Sequence, residues 1–350
     1  MAADSTGDVR ATPPHVDAID GLRAAAVLAV LGYHLLLENV GAGPPPAWIN
    51  CGARGVDLFF AISGFCLAYP FLRTWRAEGR LEIGYGRFMV RRLLRITPPY
   101  WTALLLFALL SLTGFGLPTA PGTHLDPGVA LREFGLEGAF LTNASPAYNT
   151  SFWTLGIEMR WYLVFPLLLA FYIRSRLGFY ALGAAAYGLY FFTPWSIGDE
   201  GTLPCFMLGI VAADLRIAGS RLQRYAAPAA IVLLALAAFV QSRSADIDHG
   251  DPLWHAAAFS LVVASSGGAF VRALRFKPLV LTGIASYSIY LIHQPVLSSL
   301  VAAGIGPLPA ALAALACGFA FYLAIERPSL QKRFREPAQA MLTRLLPSRA

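Results

Sequence analysis

Residues 20–37 read DGLRAAAVLAVLGYHLLL. Ten uncharged, mostly aliphatic residues separate Arg23 from His34. An apolar run of this kind, reaching about 17–25 residues, has the length of a membrane-spanning helix. The two ionisable residues are the anomaly, because such a group at a helix centre costs about 2.5–3.5 kcal/mol on insertion scales. They stand eleven positions apart, or about 16 Å along a helix that rises 1.5 Å per residue. They therefore occupy different depths of one bilayer.

The rest of the chain supports the membrane reading. Of 350 residues 57% are hydrophobic and only 13% charged, where a soluble domain carries about a quarter charged. The mean hydropathy is +0.57. Cys51, Cys66, Cys205 and Cys317 are widely spaced, with no CxxC or metal-type pattern, and no metal site is expected. Residues 1–19 are polar, contain Pro13-Pro14 and lack an apolar core, so no cleavable leader is expected before the first span.

Ten apolar stretches are candidate spans, near 22–38, 51–71, 97–117, 152–173, 177–195, 200–217, 225–241, 253–271, 282–303 and 306–325. Basic residues fall in alternate connections. One set holds Arg73, Arg76, Arg80, Arg87, Arg91, Arg92 and Arg95, then Arg174 and Arg176, then Arg216, Arg221 and Arg224, then Arg272, Arg275 and Lys277. The other connections carry Arg54, Arg132 and Arg243 against Glu133, Glu137, Asp199, Glu200, Asp246, Asp248 and Asp251. The positive-inside rule then places both termini in the cytoplasm. The net charge of +7 is thus a topology signal, and a nucleic-acid surface is not expected. The expected fold is an all-α integral membrane bundle of about ten helices. It comprises a cytoplasmic segment 1–19, a membrane domain 20–328 and a basic cytoplasmic tail 329–350.

Polar residues inside the spans are the functional candidates. The assumed topology puts His34, Glu158 in FWTLGIEMRWYL and His293 in SYSIYLIHQP at comparable depth on three helices. Whether they face one another depends on helix rotation, which the sequence leaves open. Tyr287, Tyr290 and Gln294 share one face at i, i+3, i+7. Asp57 and Arg160 are further candidates for contact with a substrate. Each has a plainer reading. A membrane histidine can simply bond a neighbouring helix. Arg23 can snorkel to the interface beside Asp20, the tyrosines can pack the bundle, and Arg91, Arg92 and Arg95 can enforce topology. Glu158 resists such a reading most, since a carboxylate at that depth needs a partner or a proton.

Six stretches occur in order: DAIDGLRAAAVLAVLGYH, GVDLFFAISGF, VRRLLRITPPYW, FWTLGIEMRWYLVFPLLL, SYSIYLIHQPV and AIERP. Together, from about residue 16 to 330, they resemble the acyltransferase-3 family of bacterial membrane O-acyltransferases. The resemblance implies transfer of an acyl group, acetyl or related, from cytoplasmic acyl-CoA to a hydroxyl. The acceptor would be a cell-surface saccharide, or in some members a macrolide or other small molecule. It implies residence in the bacterial inner (plasma) membrane. The family's Arg-x10-His element matches Arg23 and His34, its Arg-x-x-Arg element matches Arg92 and Arg95, and the first acid of its Trp-Thr-Leu-Ser-Val-Glu-Glu-Gln pattern matches Glu158. Gly156, Met159 and Arg160 depart from that pattern. Many relatives carry a further soluble hydrolase-like domain, which is not seen after Glu326-Arg327-Pro328, so the reaction is expected to be complete within the membrane domain.

On this resemblance Arg23, Arg92 and Arg95 are expected to hold the anionic end of acyl-CoA, since arginine's planar charged fork suits phosphate. His34 is expected to be the general base, or a transient acyl carrier. Glu158 would orient the imidazole or bind the acceptor, and Asp57, Arg160, Tyr290 and His293 would contact the acceptor. The competing class is a polytopic transporter, because buried His, Glu and Arg also build proton relays. A sensory or structural role would leave the cytoplasmic arginines and mid-membrane acid–base groups without a task.

Overall fold

The computed structural model describes residues 17–40, 45–111, 149–192, 201–243, 251–265 and 268–344. Among them no strand occurs. Hydrocarbon cannot satisfy backbone N–H and C=O groups, so each apolar run closes its hydrogen bonds within a helix. In chain order the helices are α1 (Asp17–Glu38), α2 (Gly55–Glu78), α3 (Tyr85–Ser111), α4 (Trp153–Arg174), α5 (Arg176–Phe192) and α6 (Leu203–Ile217). They continue with α7 (Gln223–Gln241), α8 (Pro252–Ala264), α9 (Gly268–Leu274), α10 (Lys277–Ile284), α11 (Ser286–Ala302) and α12 (Pro307–Phe321). A π-helical turn at Tyr322–Glu326 and a helical turn at Arg327–Ser329 lead to α13 (Lys332–Arg344). Short 3-10 turns precede α2 (Ala47–Cys51) and α4 (Thr150–Phe152).

This is a multi-pass membrane protein. Six helical segments have at least 18 residues and enough apolar character to cross a bilayer, and the bent pair α8 and α9 would make a seventh. The other three expected spans fall on α5, α6 and α11, which have 17, 15 and 17 residues. By length and composition, six or seven of the described helical segments can cross a bilayer, where hydropathy alone suggests ten. Large apolar side chains stand exposed on the outer faces: Leu167 on α4, Leu177 and Phe192 on α5, Ile231 and Val232 on α7, Leu308 and Leu312 on α12. In water such faces would be a liability, whereas in lipid they are the solvated surface.

Small residues set the tightest packing. A Cβ on Gly64 of α2 would lie 2.1 Å from the Phe206 carbonyl oxygen, and one on Gly209 of α6 would lie 2.1 Å from that of Ala61. A Cβ on Gly283 of α10 would lie 1.8 Å from the Asp20 carbonyl oxygen of α1. Close backbone approach of this kind is how membrane helices gain dispersion energy where apolar burial supplies little. It locks α2 to α6 and the start of α1 to α10. That start carries Asp20 and Arg23.

Candidate active site

Two cavities among the described residues bear on the expected site. The larger, about 540 Å³, is lined by Ile19, Asp20 and Arg23 of α1, Ser63 and Cys66 of α2, Arg92 and Arg95 of α3, Glu158 and Tyr162 of α4, Tyr287 and Tyr290 of α11, and Glu326. The smaller, about 350 Å³, is lined by Tyr33, His34, Trp153, Ser151, Tyr290 and Gln294, among others. Val56 and Tyr290 line both.

At the arginine-bearing end of the large cavity, Arg23 donates to Asp20 Oδ1 at 2.5 Å and to Cys66 Sγ at 3.2 Å. Its charge is therefore largely met by Asp20. Arg92 differs. Its guanidinium lies over the rings of Phe88 and Tyr162, at 5.6 and 5.8 Å from their centroids. Its Nε is buried without a hydrogen-bond partner, and it makes no ion pair among the described residues. Arg95, three residues on, is exposed. Glu158 accepts from Ser63 Oγ at 3.0 Å and from the Tyr162 hydroxyl. Glu326 accepts from Ser288 Oγ at 2.5 Å. Both carboxylates are thus held by neutral hydroxyls, which leaves the Arg92 fork available for an anion. Guanidinium-to-phosphate contacts are commonly bidentate and charge-assisted.

The small cavity holds a histidine pair. His293 Nδ1 lies 2.8 Å from the Tyr290 carbonyl oxygen and 3.2 Å from that of Ile289. A carbonyl only accepts, so this nitrogen carries the proton and His293 Nε2 carries a lone pair. His34 Nδ1 lies 3.1 Å from His293 Nε2 and 3.0 Å from the Val30 carbonyl oxygen. Both neighbours are acceptors, which assigns the His34 proton to Nδ1 as well. The lone pair of His34 is then on Nε2, which has no partner among the described residues. A proton taken up there would leave Nδ1–H donating to two acceptors that stabilise the cation.

The 3-10 turn before α4 closes this site from the side. Ser151 donates to Gln294 Oε1 through its backbone N–H at 3.0 Å and its hydroxyl at 2.5 Å. Asn149 Nδ2 donates to the Leu291 carbonyl at 2.8 Å. Tyr290 donates to the Ser151 carbonyl at 2.8 Å, and its oxygen lies 2.8 Å from Thr154 Oγ1.

Of the expected site residues, Tyr290 lines both cavities. Arg23, Arg92, Arg95 and Glu158 line the large cavity, and His34 the small one. His293 bonds His34 and lines neither. Glu158, expected to orient the imidazole or bind the acceptor, bonds Ser63 and Tyr162. Asp57 and Arg160 line neither cavity. Asp57 is buried with Arg54 (3.7 Å) and His255 (3.9 Å), while Arg54 donates to Gln241 Oε1 at 2.6 Å and Tyr187 bonds His255 Nδ1 at 2.7 Å. Buried charges are held in such paired sets because an isolated one is costly. Among the tryptophans, Trp153 lines the small cavity, Trp254 is buried beneath Arg54, and Trp48 is exposed.

Residues without an assigned role in the sequence reading complete the site. Tyr162 lies one turn beyond Glu158 on α4, a spacing that puts both on one face. Ser63 belongs to GVDLFFAISGF and Glu326 to AIERP, so these stretches are visible in the sequence while their contacts are not.

The chain matches the acyltransferase domain family over residues 16–327. It belongs to that family. It is 25% identical over 325 residues to the O-acetyltransferase OatA of Staphylococcus aureus, covering 82% of this chain and 51% of the relative. It is 28% identical over 169 residues to the peptidoglycan O-acetyltransferase OatA of Listeria monocytogenes, covering 46% of this chain and 25% of the relative. A similar match, 27% over 175 residues and again 46% and 25%, links it to the putative peptidoglycan O-acetyltransferase YrhL of Bacillus subtilis. The chain thus spans between a quarter and a half of the length of these curated relatives. No solved structure matches it.

Proposed function

We propose that this acyltransferase-family protein moves an acetyl or similarly small acyl group from acyl-CoA to a hydroxyl of a cell-wall or surface glycan. It would sit in the bacterial inner membrane with ten crossings and both termini cytoplasmic. The observation that carries the reading is the pair of cavities meeting at Val56 and Tyr290, one lined by unneutralised arginine and the other by a histidine base. The names of the relatives support a glycan acceptor.

In this scheme the phosphates of acyl-CoA rest on Arg92 and Arg95 with Arg23 nearby, and the pantetheine arm runs up the large cavity. The acceptor hydroxyl enters the small cavity against His34. As the hydroxyl oxygen attacks the thioester carbonyl carbon, His34 Nε2 takes its proton. The tetrahedral intermediate collapses, the carbon–sulfur bond breaks, and the CoA thiolate leaves with the electron pair. The proton on Nε2 passes to that thiolate, so ester and free CoA form with His34 regenerated. The Tyr162-bonded Glu158 lies on the donor side, where it would position the thioester arm rather than the imidazole.

The test is transfer of labelled acetyl from acetyl-CoA to peptidoglycan fragments by protein reconstituted in liposomes. Wild type should form the ester. His34→Gln should lose about 10²–10⁴-fold in rate, the usual contribution of a general base. Full activity in correctly inserted His34→Gln protein would sink the assignment. Movement of the acceptor without any consumption of acyl-CoA would mark a transporter.

A further inference from the structure

The two cavities share two lining residues, Val56 and Tyr290, which therefore stand as the partition between them. Val56 is 6% exposed and Tyr290 also 6%. Neither is free to move aside. Val56 follows Gly55, where an added Cβ would lie 2.3 Å from the Ala26 carbonyl oxygen, so the backbone of α2 is held against α1 at that point. Its β-branched side chain is also restricted in rotamer. Tyr290 is fixed at its hydroxyl by Ser151 and Thr154, both at 2.8 Å. Phe59 meets its ring edge-on at 6.1 Å between centroids. The same ring lies 5.7 Å from that of His293, which bonds the base.

We infer that Val56 and Tyr290 are the specificity-determining residues for the acyl group, admitting a narrow unbranched one such as acetyl and rejecting branched or aromatic ones. The inference rests on the acyltransferase reading above. The acyl end of the donor leads as the arm advances from the arginines, so its cross-section meets the partition before the carbonyl reaches the acceptor. A packed interior does not widen on demand. A branch methyl at a close-fitting apolar wall is discriminated about 10–200-fold. Rejection is expected in the transfer step and not in donor binding, because the phosphates and arm contact residues on the near side only.

The experiment compares acetyl-CoA, propionyl-CoA, isobutyryl-CoA and benzoyl-CoA as donors to one glycan acceptor, with donor binding measured separately on the same membranes. Wild type should bind all four within a few-fold, yet transfer acetyl at least about tenfold better than isobutyryl. Val56→Ala should reduce that ratio about tenfold by raising isobutyryl transfer. Val56→Phe should depress acetyl transfer while acetyl-CoA binding persists, and this second variant retains binding as a test of folding. Tyr290→Phe keeps the ring but frees it from Ser151 and Thr154, so it too should lower the ratio. Acetyl transfer with an unchanged ratio in Val56→Ala, or unimpaired acetyl transfer in Val56→Phe, overturns the partition's role alone. Wild type that transfers none of the four groups overturns the acyltransferase reading, and the partition with it.

Discussion

His34 is set apart from a packing histidine by what lies on each of its nitrogens. Nδ1–H faces two acceptors, the Val30 carbonyl and His293 Nε2, so the ring is held in the tautomer that leaves Nε2 basic. His293 is in turn fixed by the Tyr290 carbonyl. It occupies the place a carboxylate takes in a serine-hydrolase triad, but as a neutral acceptor it adds no charge to a low-dielectric site. Replacing it should therefore cost orientation and not the base itself. His293→Gln is expected to lower the transfer rate about 10–100-fold, the scale seen when a group orienting an imidazole is lost. Donor binding should be unchanged. In both proteins activity should fall on the acid side, where a protonated His34 offers no lone pair, and the acid limb should move in His293→Gln. A variant equal to wild type in rate and in acid limb would show that the pair is mere packing. Arg92 supports a complementary expectation. Its fork has no carboxylate partner, so Arg92→Ala should raise the acetyl-CoA KM by about 10-fold or more, on the scale of a lost charge-assisted bond of about 1.5–3 kcal/mol. The rate at saturating donor should hold. A rate loss with KM intact would move Arg92 out of the donor site.

At the scale of helices, the site depends on how closely α1 can approach α10. Gly283 lies against the Asp20 backbone, and both residues line the large cavity beside Arg23. Gly283→Ala must push these helices apart, at a cost of about 1–3 kcal/mol for overpacking. The expected outcome is a lower melting temperature in detergent together with weaker acetyl-CoA binding. Gly188→Ala on α5, where nothing lies within 4 Å of an added Cβ, should leave both unchanged or slightly raise stability. Equal melting temperatures for the two variants would refute the contact. The helix scale also shows what the sequence could and could not reveal. Each helix announces itself through its apolar run, and His34, His293 and Glu158 stand out because ionisable groups there are costly. Their depths follow from counting 1.5 Å per residue. Rotation about the axis does not, since it is set by contacts with helices distant in sequence. Glu158 accordingly shares a level with the histidines on paper yet turns to Ser63 and Tyr162. Asp57 looks like an isolated acid in a membrane segment, while its partners Arg54 and His255, and Gln241 which bonds Arg54, come from the starts and ends of α2, α8 and α7. Tyr287, Tyr290 and Gln294 were legible as a stripe. The structure adds that this stripe runs from one cavity into the other.

Across the whole molecule, charge is segregated by end. Buried Asp214 is clamped by Arg76 at 2.7 Å and Arg176 at 2.9 Å, and Arg216 donates to the Ser265 carbonyl at 2.9 Å. On α13, half-buried Arg335 has its affinity for a proton lowered first by burial and then by the nearby charge of Arg95. That helix lies against α3, whose Arg92 and Arg95 line the large cavity. The opposite end carries His34 and Trp153. Such an asymmetric field concentrates a polyanionic donor at one mouth only, and screening should weaken it as salt rises past about 0.1 M, where the Debye length is near 10 Å. Vesicle sidedness checks the consequence. Acetyl-CoA does not cross a sealed bilayer, so externally added donor should be consumed by inside-out membrane vesicles and spared by right-side-out ones. Detergent should bring the two to the same rate. The apparent KM for acetyl-CoA in inside-out vesicles should climb with ionic strength, while the rate at saturation stays constant. Equal consumption by sealed vesicles of both orientations would mean that the donor reaches the histidine pair from the outer cavity. In that case the arginine mouth would need another ligand.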